Sequence, residues 1–103
     1  MWSYRYVSNV PKITPKRMTF SVPEMSTITP EDLVDIECNG DYKAWFLLLE
    51  SDSDSVELSE DKTSLCVGND GGTIRLQVIA RGLRSEGRES DIIEIVVIPP
   101  VGD

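Results

Sequence analysis

The chain has 103 residues, enough for one domain, and its 40% apolar content is that of a globular protein. That content is too high for a disordered chain, and no apolar run is long enough to cross a membrane as a helix. The net charge of −8 is unevenly spread: residues 1–17 carry four bases and no acid, while residues 18–103 carry six bases and all 18 acids, a net of −12. An acidic body repels nucleic-acid backbones, and a basic segment attached to it predicts docking on another acidic surface or on a neighbouring copy.

The first segment reads as an extended arm. Trp2, Tyr4 and Tyr6 alternate with polar residues, which places three aromatics on one side of a strand-like stretch. Arg5, Lys12, Lys16 and Arg17 supply its charge, and Pro11 and Pro15 are expected to limit any regular continuation. Such an arm can pair with an exposed sheet edge. The expected organisation is an arm over residues 1–17 and one folded domain over residues 18–103. No leader-like apolar segment follows Met1, so the expected site of synthesis and folding is a cytoplasm.

From Met18 onward the chain reads as short strands punctuated by turns. Met18 to Val22 is strand-like. Thr29-Pro30-Glu31-Asp32 is a helix start, but the period-two pattern after it allows one helical turn at most. Leu33 to Cys38 alternates, with Val34, Ile36 and Cys38 on one face. Asn39-Gly40-Asp41 is a turn. Lys43 to Glu50 is a long apolar strand, Ser51 to Ser55 an acidic loop, and Val56 to Leu58 and Ser64 to Val67 short strands. Asn69 to Gly72 is a second turn. In Thr73 to Ala80, Ile74, Leu76, Val78 and Ala80 point inward, with Arg75 and Gln77 outward. Arg81 to Ser90 is expected to be a charged loop, and Asp91 to Ile98 the last strand. About seven short strands at close spacing predict an all-β sandwich or barrel.

Two strands are apolar on both faces. In Lys43 to Glu50, the expectation places Trp45, Leu47 and Leu49 in the core and turns Phe46 and Leu48 outward. In the last strand, Ile93, Ile95 and Val97 point one way and Ile92, Val96 and Ile98 the other. One core cannot absorb all of them, so an exposed apolar patch is expected, of the kind that marks an interface.

Signals for chemistry are weak. There is no histidine, which removes the usual general base and the usual zinc ligand. Cys38 and Cys66 show no metal-ligand spacing and no basic neighbour, and their alternation points them to opposite sides of a sheet, so free thiols are expected. Asp52, Asp54 and Glu57 could offer oxygens to calcium, but their spacing does not fit a calcium loop and a solvated loop is the reading favoured. The expectation is a non-enzymatic protein with no metal and no cofactor.

The order of these features resembles an immunoglobulin-like domain of the bacterial and phage type, over about residues 18–98. The resemblance rests on Ala44-Trp45-Phe46-Leu47 in the third strand, where the family places a core aromatic. It rests also on Glu57 to Val67, on Gly71-Gly72-Thr73 followed by Ile74 to Ala80, and on Asp91 to Ile98 as the final strand. The chain departs from the antibody branch in lacking its cysteine pair and its tyrosine corner. The resemblance implies an immunoglobulin-like β-sandwich with an extended N-terminal arm, of the kind carried on phage heads and tails. It implies a phage accessory protein, such as a capsid decoration protein, residing in the virion and assembled in the host cytoplasm. Its partner would be a capsid or other virion protein and also copies of itself, not a membrane or a nucleic acid. Trp2, Tyr4, Arg5, Tyr6, Lys16 and Arg17 would anchor it, and Phe46, Leu48, Ile92, Val96 and Ile98 would form the lateral contact. Two alternatives stand beside this reading: a small acidic inhibitor that mimics nucleic acid, and an adhesin-type module.

Overall fold

Period-two patterning builds most of the molecule. In the computed structural model, which describes residues 10–52, 56–69, 71–83 and 85–98, the elements follow in order. They are β1 (Lys12–Pro15), β2 (Thr19–Pro23), β3 (Thr27–Ile28), the helical turn α1 (Pro30–Leu33), β4 (Val34–Glu37), β5 (Tyr42–Ser51), β6 (Glu57–Leu58), β7 (Leu65–Cys66), β8 (Gly72–Gly82), β9 (Gly87–Glu89) and β10 (Ile93–Ile98). The fold is nearly all β, with its sheets packed as a sandwich, the class expected from the sequence.

The largest sheet has the order β2-β10-β8-β5, with β9 also paired to β8. β2 runs parallel to β10, and the other neighbours are antiparallel. The opposing strands are the three-stranded set β3-β7-β6 and the pair β1-β4. Between β3 and β4, which pair in different sheets, lies the single turn α1. Pro30 opens that turn, and the Asp32 carboxylate accepts the Thr29 N–H at 2.8 Å, which satisfies a donor the short helix would leave free.

The core lies between these layers. Ile28, Leu33, Val34, Leu65 and Val67 come from one side, and Phe46, Ile74, Leu76, Val78, Ile93 and Ile95 from the other, all buried. Burial of each such side chain contributes about 1.5–3 kcal/mol relative to exposure. Cys38 is half-buried and Cys66 exposed, and neither is in a disulfide.

Two local arrangements matter for the surface described below. The first is the turn between β6 and β7. There Asp61 Oδ1 accepts from the hydroxyls of Ser59 and Thr63, each at 2.7 Å, and from the Thr63 N–H at 3.1 Å. The Ser59 Oγ in turn accepts the N–H groups of Thr63 and Ser64. The turn holds Lys62 at φ 64°, in the left-handed region. The Lys62 carbonyl then accepts the Phe46 N–H at 2.9 Å, in the middle of β5. The second is the link between β9 and β10. Ser90 is buried; its Oγ accepts the Val78 N–H at 2.9 Å and donates to the Asp91 carbonyl at 2.8 Å. Its N–H donates to the Val78 carbonyl at 2.8 Å. Ile93 pairs with Leu76, so Asp91 and Ile92 together oppose Gln77, a bulge that pushes Ile92 outward.

Two expectations are corrected here. Residues 12–15, assigned to the arm, form a strand paired with β4, with Ile13 opposite Ile36. A proline is tolerated because Pro15 ends a strand at a sheet edge, where its missing N–H costs nothing. Arg81 to Ser90, expected to be a loop, contains the end of β8 and all of β9. Its charged residues tolerate strand geometry because the hairpin extends beyond the core, and β9 is exposed throughout.

Candidate interaction surface

The outward side chains of the large sheet form a ruled surface that the register defines. Antiparallel partners share a face, so each row across β5 and β8 can be read from its Cα pairs. The first row is Lys43, Arg81 and Gly87; the second is Trp45, Ile79 and Glu89. Leu47 and Gln77 make the third, beside the bulged Ile92. The fourth runs Glu50, Arg75, Glu94 and Thr19, and beyond it lie Thr73, Val96 and Ser21, then Ile98 beside Pro23.

The middle rows are an apolar band. Leu47, Leu49 and Ile92 are exposed, at 38%, 42% and 51%, and Trp45 and Ile79 are half-buried. Val96 and Ile98 extend the apolar surface along β10. Gln77 sits within the band, and its Nε2 donates to the Ser90 carbonyl at 2.9 Å. This amide is thereby fixed against the bulge.

Charge brackets the band. At one end Lys43 lies directly opposite Arg81, both exposed. Two like charges so placed destabilise a strand pair. Together with Trp45, Gly82 and Leu83 they line a cleft of about 240 Å³. The Arg81 guanidinium donates from Nε to the Ser85 carbonyl at 3.2 Å, which orients it. At the other end Arg75 reaches Glu50 at 3.6 Å and Glu94 at 3.5 Å. Glu50, Asp52, Thr73, Arg75 and Glu94 line a second concavity there, of about 200 Å³. Three carboxylates against one guanidinium leave this end negative.

The structure sorts the residues expected to bind. Val96 and Ile98 do lie on the outer face of β10, Ile92 is exposed just before it, and β5 and β10 do flank β8. The phase of β5 is the reverse of that expected. Phe46 is fully buried and Leu48 packs against the core, while Trp45, Leu47 and Leu49 face out. A bulge between Leu48 and Glu50 sets the end of the strand, and small Ala44 with Phe46 fills the space beneath the sheet. The half-exposed setting suits Trp45, which has an apolar body and an N–H donor. Phe46 and Leu48 are therefore core residues. Lys16 and Arg17 are exposed on the link between β1 and β2. Trp2, Tyr4, Arg5 and Tyr6 lie outside the described residues, as does Asp54.

Sequence reasoning missed the Lys43–Arg81 pair. They are 38 positions apart, and only the β5–β8 register brings them together. Among the described residues, no three acidic or cysteine side chains are grouped as a metal site would need. No protein-family model and no curated protein matches the chain.

Proposed function

We propose that this chain is a non-enzymatic binding module of the immunoglobulin-like kind, and that it serves as an accessory protein of a phage particle. Its outer sheet face is the lateral contact surface, and its basic aromatic N-terminal segment is the anchor on a lattice protein. The observation that carries the proposal is the apolar band of Trp45, Leu47, Leu49, Ile79 and Ile92 on the solvent side of a complete sheet. Exposed apolar surface of this extent is costly unless a partner covers it.

The immunoglobulin-like reading is supported by the strand order β2-β10-β8-β5 with β2 parallel to β10, facing the set β3-β7-β6. One detail of the resemblance changes: the core aromatic of the third strand is Phe46, not Trp45. The phage assignment is supported by the resemblance of pattern. The charge of residues 1–17 against the acidic body supports the anchor.

The test is co-sedimentation of the purified full chain with particles of a phage that encodes it, assembled without it. Binding is expected, and deletion of residues 1–9, which spares β1, should weaken it severely. Particles that never retain the full chain overturn the phage assignment. Retention unchanged by the deletion overturns the anchor.

A further inference from the structure

We infer that the occupant of the outer sheet face is a second copy of this chain, related by a two-fold axis, with the Lys43 side of each copy's Lys43–Arg81 cleft receiving the acidic Glu50–Asp52 end of the other. This rests on the reading of that face as an interface and names its partner.

The argument starts from β5 itself. One strand carries both halves of the contact: the cationic cleft at its start and Glu50 and Asp52 at its end. The seven residue steps from Lys43 to Glu50 separate them by about 23 Å at strand rise. Between them, on the same face, stand Trp45, Leu47 and Leu49. A two-fold axis lying along the sheet face and crossing β5 near Leu47 reverses the strand. It stacks β5 over β5 and β8 over β8, so that Lys43 of each copy meets the opposite Glu50–Asp52 end while Arg81 meets the row of Arg75, whose charge Glu50 and Glu94 already offset, with the apolar band of both copies closed between them. A two-fold contact must be self-complementary, and a surface that is basic, apolar and acidic in that order along one strand has this property.

The charges bear on the choice of partner. The ion pairs among the described residues are both made by Arg75. Neither Lys43 nor Arg81 has a carboxylate within 4.0 Å there, although Glu89 is one row away on the same face. Their juxtaposition costs stability in the free chain and becomes favourable once two carboxylates arrive. The acidic end has the converse excess. Area sets the strength. Five alternate rows about 6.7 Å apart, each crossing about three strands spaced about 4.8 Å, give a face of roughly 500 Å². Two such faces bury about 1,000 Å², below the range of standard stable complexes and in that of weak, transient ones. A concentration-dependent, salt-sensitive dimer follows.

The experiment is sedimentation velocity on the full chain across a concentration series, at low and high salt. Wild type is expected to move from 11.5 kDa toward twice that mass, with the transition shifted to higher concentration by salt. K43E/R81E and E50K/D52K should each weaken self-association by about tenfold or more. Mixed together they should associate again, because the mixed pair restores opposite charge at both contacts. Leu47→Cys in a Cys66→Ser background should cross-link to itself, since Leu47 lies near the axis; this reads the geometry even if a charge-reversed variant folds poorly. A wild-type chain that stays monomeric throughout overturns the inference. So does self-association that neither reversal weakens, or a mixture that associates no better than its components. If deletion of residues 1–9 converts a monomer into a dimer, the chain's own leading segment is the occupant and the inference also falls. None of these results bears on retention by particles, so the two proposals fail separately.

Discussion

Phe46 and Leu47 are neighbours in sequence and opposites in consequence. Phe46 is fully buried among Leu76, Val78 and their neighbours, so Phe46→Ala is expected to cost about 3–5 kcal/mol, from lost transfer energy and a cavity the sheet cannot close. Leu47→Ser, on the outer face, should change monomer stability by less than about 1 kcal/mol. Urea unfolding of both variants at low concentration checks the phase of β5: equal costs would contradict it. Asp61 gives a prediction in pH. Hydrogen bonds from the Ser59 hydroxyl, then the Thr63 hydroxyl and the Thr63 N–H, lower its pKa from 3.8 to about 2. A carboxylate with a depressed folded pKa contributes stability above its unfolded pKa, and that contribution is lost as pH falls through the folded value. The turn should therefore stay closed near pH 4 and loosen toward pH 2. Asp61→Ala should remove this acid sensitivity and speed amide exchange at Phe46, whose N–H the turn holds; exchange monitored by NMR decides it. At this scale the sequence was partly legible. The inward set on β8 was plain because Arg75 and Gln77 mark its outer face. The phase of β5 was not, because Trp45, Phe46, Leu47, Leu48 and Leu49 form an uninterrupted apolar run, and alternation has no polar residue there to fix it.

Among the elements, the link from β9 to β10 depends most on one side chain. Ser90 is buried and its Oγ accepts the Val78 N–H. Ser90→Ala should cost about 1–3 kcal/mol by leaving that N–H unsatisfied in the core, measured by thermal or urea unfolding. A cost near zero would mean that water reaches the bulge. Truncation offers a second check. Deleting residues 1–15 removes β1 and the packing of Ile13 on the core. It should therefore destabilise the domain more than deletion of residues 1–9 does, by about 1–3 kcal/mol if Ile13 dominates. Turn chemistry made several boundaries readable: Asn39-Gly40 and Gly71-Gly72 both bend where expected, with Gly40, Gly71 and Gly72 at positive φ. The strand at Lys12–Pro15 was hidden because prolines on both sides suggested a break. β9 was hidden because Gly87-Arg88-Glu89 has no apolar residue, its strand geometry coming entirely from its partner β8.

For the whole molecule, charge distribution was legible and charge proximity was not. Counting places the excess of acid in the body. Only folding reveals that Lys43 and Arg81, two of the few bases in that body, are set side by side. The exposed apolar face was expected from strands too apolar for one core, and it exists, though on β5 its members are the alternate set. Surface ion pairs contribute little here. Arg75 is half-exposed, and Arg75→Ala should shift unfolding stability by less than about 1 kcal/mol. Calorimetry of that variant would show whether the charged row serves recognition rather than stability.

The hydrogen bond from Phe46 to the Lys62 carbonyl carries a consequence for how copies can meet. A bare outermost strand invites the next chain to lie alongside it, and that process has no natural stopping point. Here one carbonyl, aimed by a rigid four-residue turn, occupies the middle of the rim. Stacking flat against flat remains open while side-by-side zippering is interrupted at its centre. Strand addition along the β5 edge is thereby hindered.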